Sequence, residues 1–157
     1  MVKDDIKTII DWTLKYLNMH SDDASALVYR TGMAETKYNH LKQMGDGPAL
    51  GFFQCEPNTM KDIMENYVSY RDGLKQKIYY LGYNDDNPEM SLMSNVALQV
   101  AFCRINIEET DYLFPIKIKL RNKQNTGREY IIQGLEKELL NIFYLIINIR
   151  SNRWQVQ

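Results

Sequence analysis

This chain lacks an excess of either charge. Lys and Arg number 19 against 20 Asp and Glu, a formal net charge of −1 in 157 residues. A phosphate-binding chain needs a basic excess, so composition gives no case for a nucleic-acid partner. Cysteine is scarce: Cys55 and Cys103 are too few for a disulfide scaffold. Each sits in an apolar context and reads as a small buried hydrophobe. The two histidines, His20 and His40, match no zinc spacing. Residues 84–87, Asn-Asp-Asp-Asn, lack the glycine and distal Glu of a calcium loop and read as a turn. No metal or other cofactor is therefore expected. Glycine and proline number only 8 and 4, without repeats or low-complexity tracts, which excludes a fibrous or linker-like chain. No apolar run reaches the roughly 20 residues that span a bilayer. The strongest, within 135–149, predicts a buried helix and no membrane span. The start, Met1-Val2-Lys3-Asp4-Asp5, lacks the basic head and apolar core of a secretory signal.

What is present suits one mainly α-helical domain over 1–157. Apolar residues make up 45% of the chain, and at this length they can bury a sizeable core. Ile6, Ile9, Ile10, Leu14 and Leu17 recur at helical spacing and predict a helix over 5–19. Ser21 is a suitable N-cap for a second helix, with Asp22 and Asp23 favourable to its dipole. That helix should run to about Thr36, which puts Glu35 in its last turn. Gly45, Gly47 and Pro48 predict a loop over 39–50. Pro57 opens a third helix, with Met60, Ile63, Met64, Tyr67 and Val68 as its apolar stripe. A short helix follows from Leu74 to Leu81. Residues 91–107 are apolar nearly all round and predict a central helix. Ile116-Lys117-Ile118-Lys119-Leu120 alternates with period two and predicts a short strand.

Chemistry concentrates between Ala34 and Thr59. A helix-end Glu is followed by a glycine-rich turn that runs into Phe52-Phe53-Gln54. Cleaving a glycosidic bond at neutral pH requires an acid that keeps its proton, and partial burial raises a Glu toward that condition. Met33 and Ala34 precede Glu35, the Phe52-Phe53 pair can return over it, and a helix C-terminus disfavours negative charge. Gly45, Gly47 and Gly51 would let backbone approach a saccharide. Gln54 is suited to hydrogen-bond an N-acetyl group or a water. Tyr38, Phe52, Phe53, Tyr67 and Tyr70 are candidates to stack on pyranose rings.

Taken together, Glu35-Thr36, then Ala49-Leu50-Gly51-Phe52-Phe53-Gln54, then Pro57-Asn58-Thr59 resemble the lysozyme-like superfamily. The likeness is to soluble lytic transglycosylases and goose-type lysozymes, whose signature is Glu-Ser, Gly-Leu-Met-Gln and a Pro-x-Thr helix start. Gly45 through Gln54, Glu56-Pro57, Asp62-Ile63, Asn66-Tyr67 and Tyr70-Arg71 look closer to small phage-encoded members. The resemblance covers residues 24–110. It implies a lysozyme-like fold whose cleft lies between helix 2 and the following loop. It implies Glu35 as general acid and then base, with Thr36, Tyr38, Asp46, Gly51, Phe52, Phe53, Gln54 and Tyr67 lining the substrate groove. The implied partners are peptidoglycan glycan strands and other virion proteins. The implied location is a phage virion, or host cytoplasm before release. A transglycosylase needs no second carboxylate. A hydrolase uses one to activate water, with Asp46 ranked ahead of Glu56 and Asp62.

Beyond residue 112 the resemblance stops. The phage relatives continue with an aromatic helix bearing Tyr-Trp-Lys and a glycine-rich closing loop. Here Lys123-Gln-Asn-Thr-Gly-Arg-Glu-Tyr130 stands instead, and its codons in another frame can spell Lys-Tyr-Trp-Lys-Arg. The expectation for 112–157 is a frameshifted or divergent gene end. Two other readings of the whole stay open: a non-catalytic virion protein that keeps the fold as a structural or glycan-binding module, and an unrelated helical interaction domain.

Overall fold

A computed structural model describes Lys3–Leu113, with side chains from Asp4 to Glu108. The chain divides into two compact units, Met1–Ile116 and Lys117–Gln157, and the description concerns the first. The expected strand at 116–120 and the helix within 135–149 lie outside the described residues.

Among the described residues the fold is helical, and its only extended pairing is two isolated bridges. Helix α1, Lys3–Leu17, buries Ile6, Ile10, Leu14 and Leu17 on one face. It ends where Asn18 adopts a left-handed φ of 61°. There the Asn18 and Met19 amides donate back to Lys15 O and Leu14 O at 3.1 and 2.9 Å, which satisfies carbonyls the helix itself leaves open. Helix α2, Asp22–Glu35, begins as expected at Ser21, whose Oγ accepts from the Ala24 amide at 3.0 Å. Such a cap contributes about 1 kcal/mol.

Pro57 opens helix α3, Pro57–Ile63, which continues as one π-helical turn over Met64–Val68. Helix α4 spans Asp72–Tyr80. The single helix expected over 91–107 is in fact two. Helix α5, Pro88–Ser94, stops at Asn95, whose extended backbone (φ −130°, ψ 105°) breaks the run. Asn95 Oδ1 then accepts from the Leu98 amide at 3.1 Å and caps helix α6, Val96–Leu113, while its Nδ2 donates to Leu81 O at 2.6 Å. An Asn side chain can serve both backbones where apolar periodicity passes through unbroken.

Helix α6 is central, as its sequence implied. It packs against α1, α2, α3 and α5. Leu98, Val100, Ala101, Phe102 and Ile105 are wholly buried. Around them gather Met60 and Ile63 of α3, Tyr67 and Val68 of the π turn, Leu74 and Ile78 of α4, and Leu92 of α5. Among the described residues no helix is long and apolar enough to cross a membrane.

Candidate active site

Helix α2 ends at Glu35, and the residues after it explain what the end looks like. Thr36 is the C-cap. Lys37 and Tyr38 then take left-handed φ values of 52° and 60°, a conformation that costs a side-chain-bearing residue energy unless contacts hold it. The contacts are those of Tyr38. Its ring turns back along α2 and lies on Gly32, where a Cβ would stand 2.5 Å from the ring. Its hydroxyl donates to Tyr29 O at 2.7 Å. Gly32 is therefore the space into which Tyr38 folds.

The loop that follows is more ordered than its glycines suggest. Leu50 pairs with both Lys42 and Cys55 as antiparallel bridges. Gly51, at φ 77°, and Gln54, at φ 49°, make the tight reversal between Leu50 and Cys55. The loop is then fastened to α2 and α6. Thr36 Oγ1 donates to Phe52 O at 2.9 Å, and the Phe52 amide donates to Gln99 Oε1 at 2.9 Å. One residue of the loop is thus held at both its backbone polar groups.

Glu35 sits half-buried at this junction. Burial raises its carboxyl above the usual range. No basic side chain stands in the last turn of α2 to draw the proton off. On α6, Cys103 lies within electrostatic reach of Glu35. Its thiol is itself pushed up, first by burial, and stays neutral at ordinary pH. Cys103 is buried, as expected of both cysteines, whereas Cys55 is only partly covered, although burial raises its thiol too, to about 12.

A raised carboxyl has a signed consequence for stability. Between the ordinary Glu value and the raised one, the folded state binds more protons than the unfolded state. Stability therefore falls as pH rises through that window. Glu35→Gln should leave stability unchanged at acid pH and increase it at neutral pH. Urea denaturation at several pH values checks this, and equal stabilities across the range would contradict a buried Glu35.

The other predicted groove residues divide. Thr36 is buried and acts as the clamp just described. Asp46 is exposed in the loop tip. Gln54 donates its side-chain Nε2 to Gly51 O at 2.8 Å and so braces its own turn. The close approach that requires glycine at Gly51 is to protein, not sugar: a Cβ there would lie 2.7 Å from the Gln99 side chain.

The stacking assignments need correction. Phe52 and Phe53 are each 7% exposed, with their rings edge-on to Tyr38 at 5.6 and 6.0 Å. They pack against Tyr38 and offer no open face. Tyr67 is equally buried. Its hydroxyl donates to Glu108 Oε2 at 3.0 Å, and the Arg71 guanidinium covers its ring at 3.7 Å. Tyr38 is half-buried, and Tyr70, at 79% exposed, keeps an open ring. Sequence reasoning missed Gln99, although a lone Gln inside the apolar run Val96–Phe102 was a signal. It also missed Glu108, which Arg104 one turn earlier binds at 2.8 Å. Among the described residues no group of three or more His, Cys, Asp or Glu is arranged to hold a metal.

Comparison with known protein families, with curated proteins and with solved structures finds no match to this chain.

Proposed function

We propose that this protein is a peptidoglycan-cleaving glycosidase of lysozyme-like type, acting on the β-1,4 bond between N-acetylmuramic acid and N-acetylglucosamine. The observation that carries the reading is Glu35: a half-buried carboxyl at a helix end, raised by burial, with the adjoining Thr36 tied to the loop bearing Gly51 and Gln54. Protonated Glu35 gives its proton to the glycosidic oxygen as the bond to the anomeric carbon breaks. In the transglycosylase route the muramic acid's own C6 hydroxyl attacks that carbon. Glu35, now carboxylate, takes the hydroxyl proton, and a 1,6-anhydro end results without water. In the hydrolytic route a second carboxylate activates water, and the exposed Asp46 is the side chain proposed for it. The partners are glycan strands and, for a phage protein carried in the virion, other virion proteins. Digestion of purified peptidoglycan with mass spectrometry of the chain ends tests this. Anhydro ends mark a transglycosylase and reducing ends a hydrolase. Intact strands after incubation with folded protein would defeat the reading.

One observation favours the second reading, a glycan-binding module that does not cut. A groove of about 450 Å³ is lined by Ile9, Trp12 and Tyr16 of α1 and by Leu81, Ser94 and Asn95 among others, with no charged side chain. Trp12 is 69% exposed, and Tyr80, with its ring 5.9 Å from that of Tyr16, is 82% exposed. Exposed rings with polar tips suit uncharged pyranose faces. On this reading, pull-down by insoluble peptidoglycan survives Glu35→Gln and weakens with Trp12→Ala. Retention by the Trp12 variant equal to wild type would remove it.

A further inference from the structure

We infer that Gln99 is a positioning residue, fixing the Gly51–Phe52 peptide against the end of α2 and thereby the placement of Glu35. The inference rests on the glycosidase reading only for its catalytic consequence.

Gln99 is a neutral amide sealed into the otherwise apolar run Val96–Cys103 at the start of α6, with 2% of its surface exposed. A buried amide costs stability unless its polar atoms are bonded. Here both ends are bonded, and the partners come from two other parts of the chain. Nε2 donates to Leu92 O at 2.9 Å and to Met93 O at 3.3 Å, carbonyls near the C-terminal end of α5. Oε1 accepts from the Phe52 amide at 2.9 Å. Gly51 is pressed against the same side chain. A core position filled for packing alone would carry Leu or Met, as its neighbours do.

The linkage continues past the loop. Thr36 Oγ1 donates to the Phe52 carbonyl and itself accepts from the Tyr38 amide at 3.1 Å. α5, α6, the loop and the end of α2 are thus joined through one residue, Phe52, and two side chains. Glu35 is covalently next to Thr36. Loosening the peptide at Gln99 frees the carbonyl that Thr36 holds and lets water reach the carboxyl. The titratable neighbour on the α6 side, Cys103, is neutral at ordinary pH. A change at Glu35 on loosening the loop therefore reports lost cover rather than a new charge.

The experiment compares wild type with Gln99→Met, Thr36→Val and Thr36→Ser. Met keeps the bulk of Gln99 without its hydrogen bonds. Val removes the Thr36 hydroxyl, and Ser keeps it. Three readouts are taken on each folded protein: amide exchange at Phe52, the midpoint of the Glu35 side-chain carbon titration, and kcat with KM on soluble glycan strands. The expected result is faster Phe52 exchange and a Glu35 midpoint moved down toward the ordinary value in Gln99→Met and Thr36→Val. Thr36→Ser should stay at wild type. In an active enzyme kcat falls about 10- to 100-fold with KM little changed, as misplacement of a reacting group produces. If Gln99→Met does not fold, Thr36→Val carries the same test from the other side of Phe52. An unmoved Glu35 midpoint in the folded variants overturns the inference, as does an unmoved kcat in an active wild type. A wild type that cuts nothing defeats the glycosidase reading alone, because exchange and titration still decide the positioning.

Discussion

On the proposed glycosidase reading, Glu35→Gln should lower the rate of peptidoglycan cleavage by about 10²- to 10⁴-fold, the range for losing a general acid. This corresponds to about 3–5 kcal/mol of transition-state stabilisation. The substitution keeps the size and polarity of the side chain, so Thr36 and the Phe52 loop stay in place. The proton is what disappears. A Gln amide cannot give one to the glycosidic oxygen, and the leaving sugar must depart as an unprotonated alkoxide. The pH profile provides a second check. On that reading the alkaline limb of the wild-type rate should report loss of the Glu35 proton, displaced upward from an ordinary Glu because the carboxyl is buried. In the variant any residual rate should lose that limb. Steady-state release of muropeptides by the two proteins across pH measures both effects. Equal rates in wild type and variant would show that the buried carboxyl is structural and that the chemistry, if present, lies elsewhere.

Phe102→Ala should destabilise the fold by about 3–5 kcal/mol, the cost of emptying a large aromatic site in a packed core. Phe102 is fully buried at the middle of α6, beside Leu98, Ala101 and Ile105 and with the Tyr83 ring 5.8 Å away. The core cluster it belongs to draws on α1, α3, the π turn, α4 and α5, so no single element can move in to refill the space. A domain of this size is stable by about 5–15 kcal/mol, so the loss is a large share of the whole. Leu27→Ala on the outer face of α2, at 41% exposed, should change stability by less than about 0.5 kcal/mol. Urea midpoints for the two variants make the comparison. Similar midpoints would mean that α6 is not the centre of the core. The same helix carries Gln99, Cys103 and Glu108, so a collapse around the Phe102 cavity should also disturb the loop at Phe52.

Local signals in the chain were reliable where a single segment decides its own shape. The period of Ile6, Ile10 and Leu14 placed α1. Ser21 placed the start of α2, and Pro57 that of α3. An apolar run placed α6 at the centre. Each depends on residues three or four positions apart, whose side chains meet within one helix. The seat of Glu35 was legible for the same reason: it lies in the last turn of a helix whose cap and stripe can be read locally. Asn95 shows the limit even of local reading, because its side chain serves Leu81 and Leu98 at once while its extended backbone breaks a run whose apolar pattern continues.

The arrangement around Glu35 was decided by tertiary structure. Phe52 reaches Gln99 across 47 positions and Tyr67 reaches Glu108 across 41. Nothing within a window of a few turns encodes either pairing. The aromatic pair after Gly51 reads equally as an exposed sugar platform or as core, because its hydrophobicity is the same in both settings. Burial follows from what the rest of the fold brings against it, here Tyr38 folded back over Gly32. Gly51 is ambiguous in the same way, since an absent Cβ makes room for any close neighbour and the chain alone does not say which. Helix positions are local properties of the sequence, whereas the faces they cover and the polar atoms they pair become definite only when the helices pack.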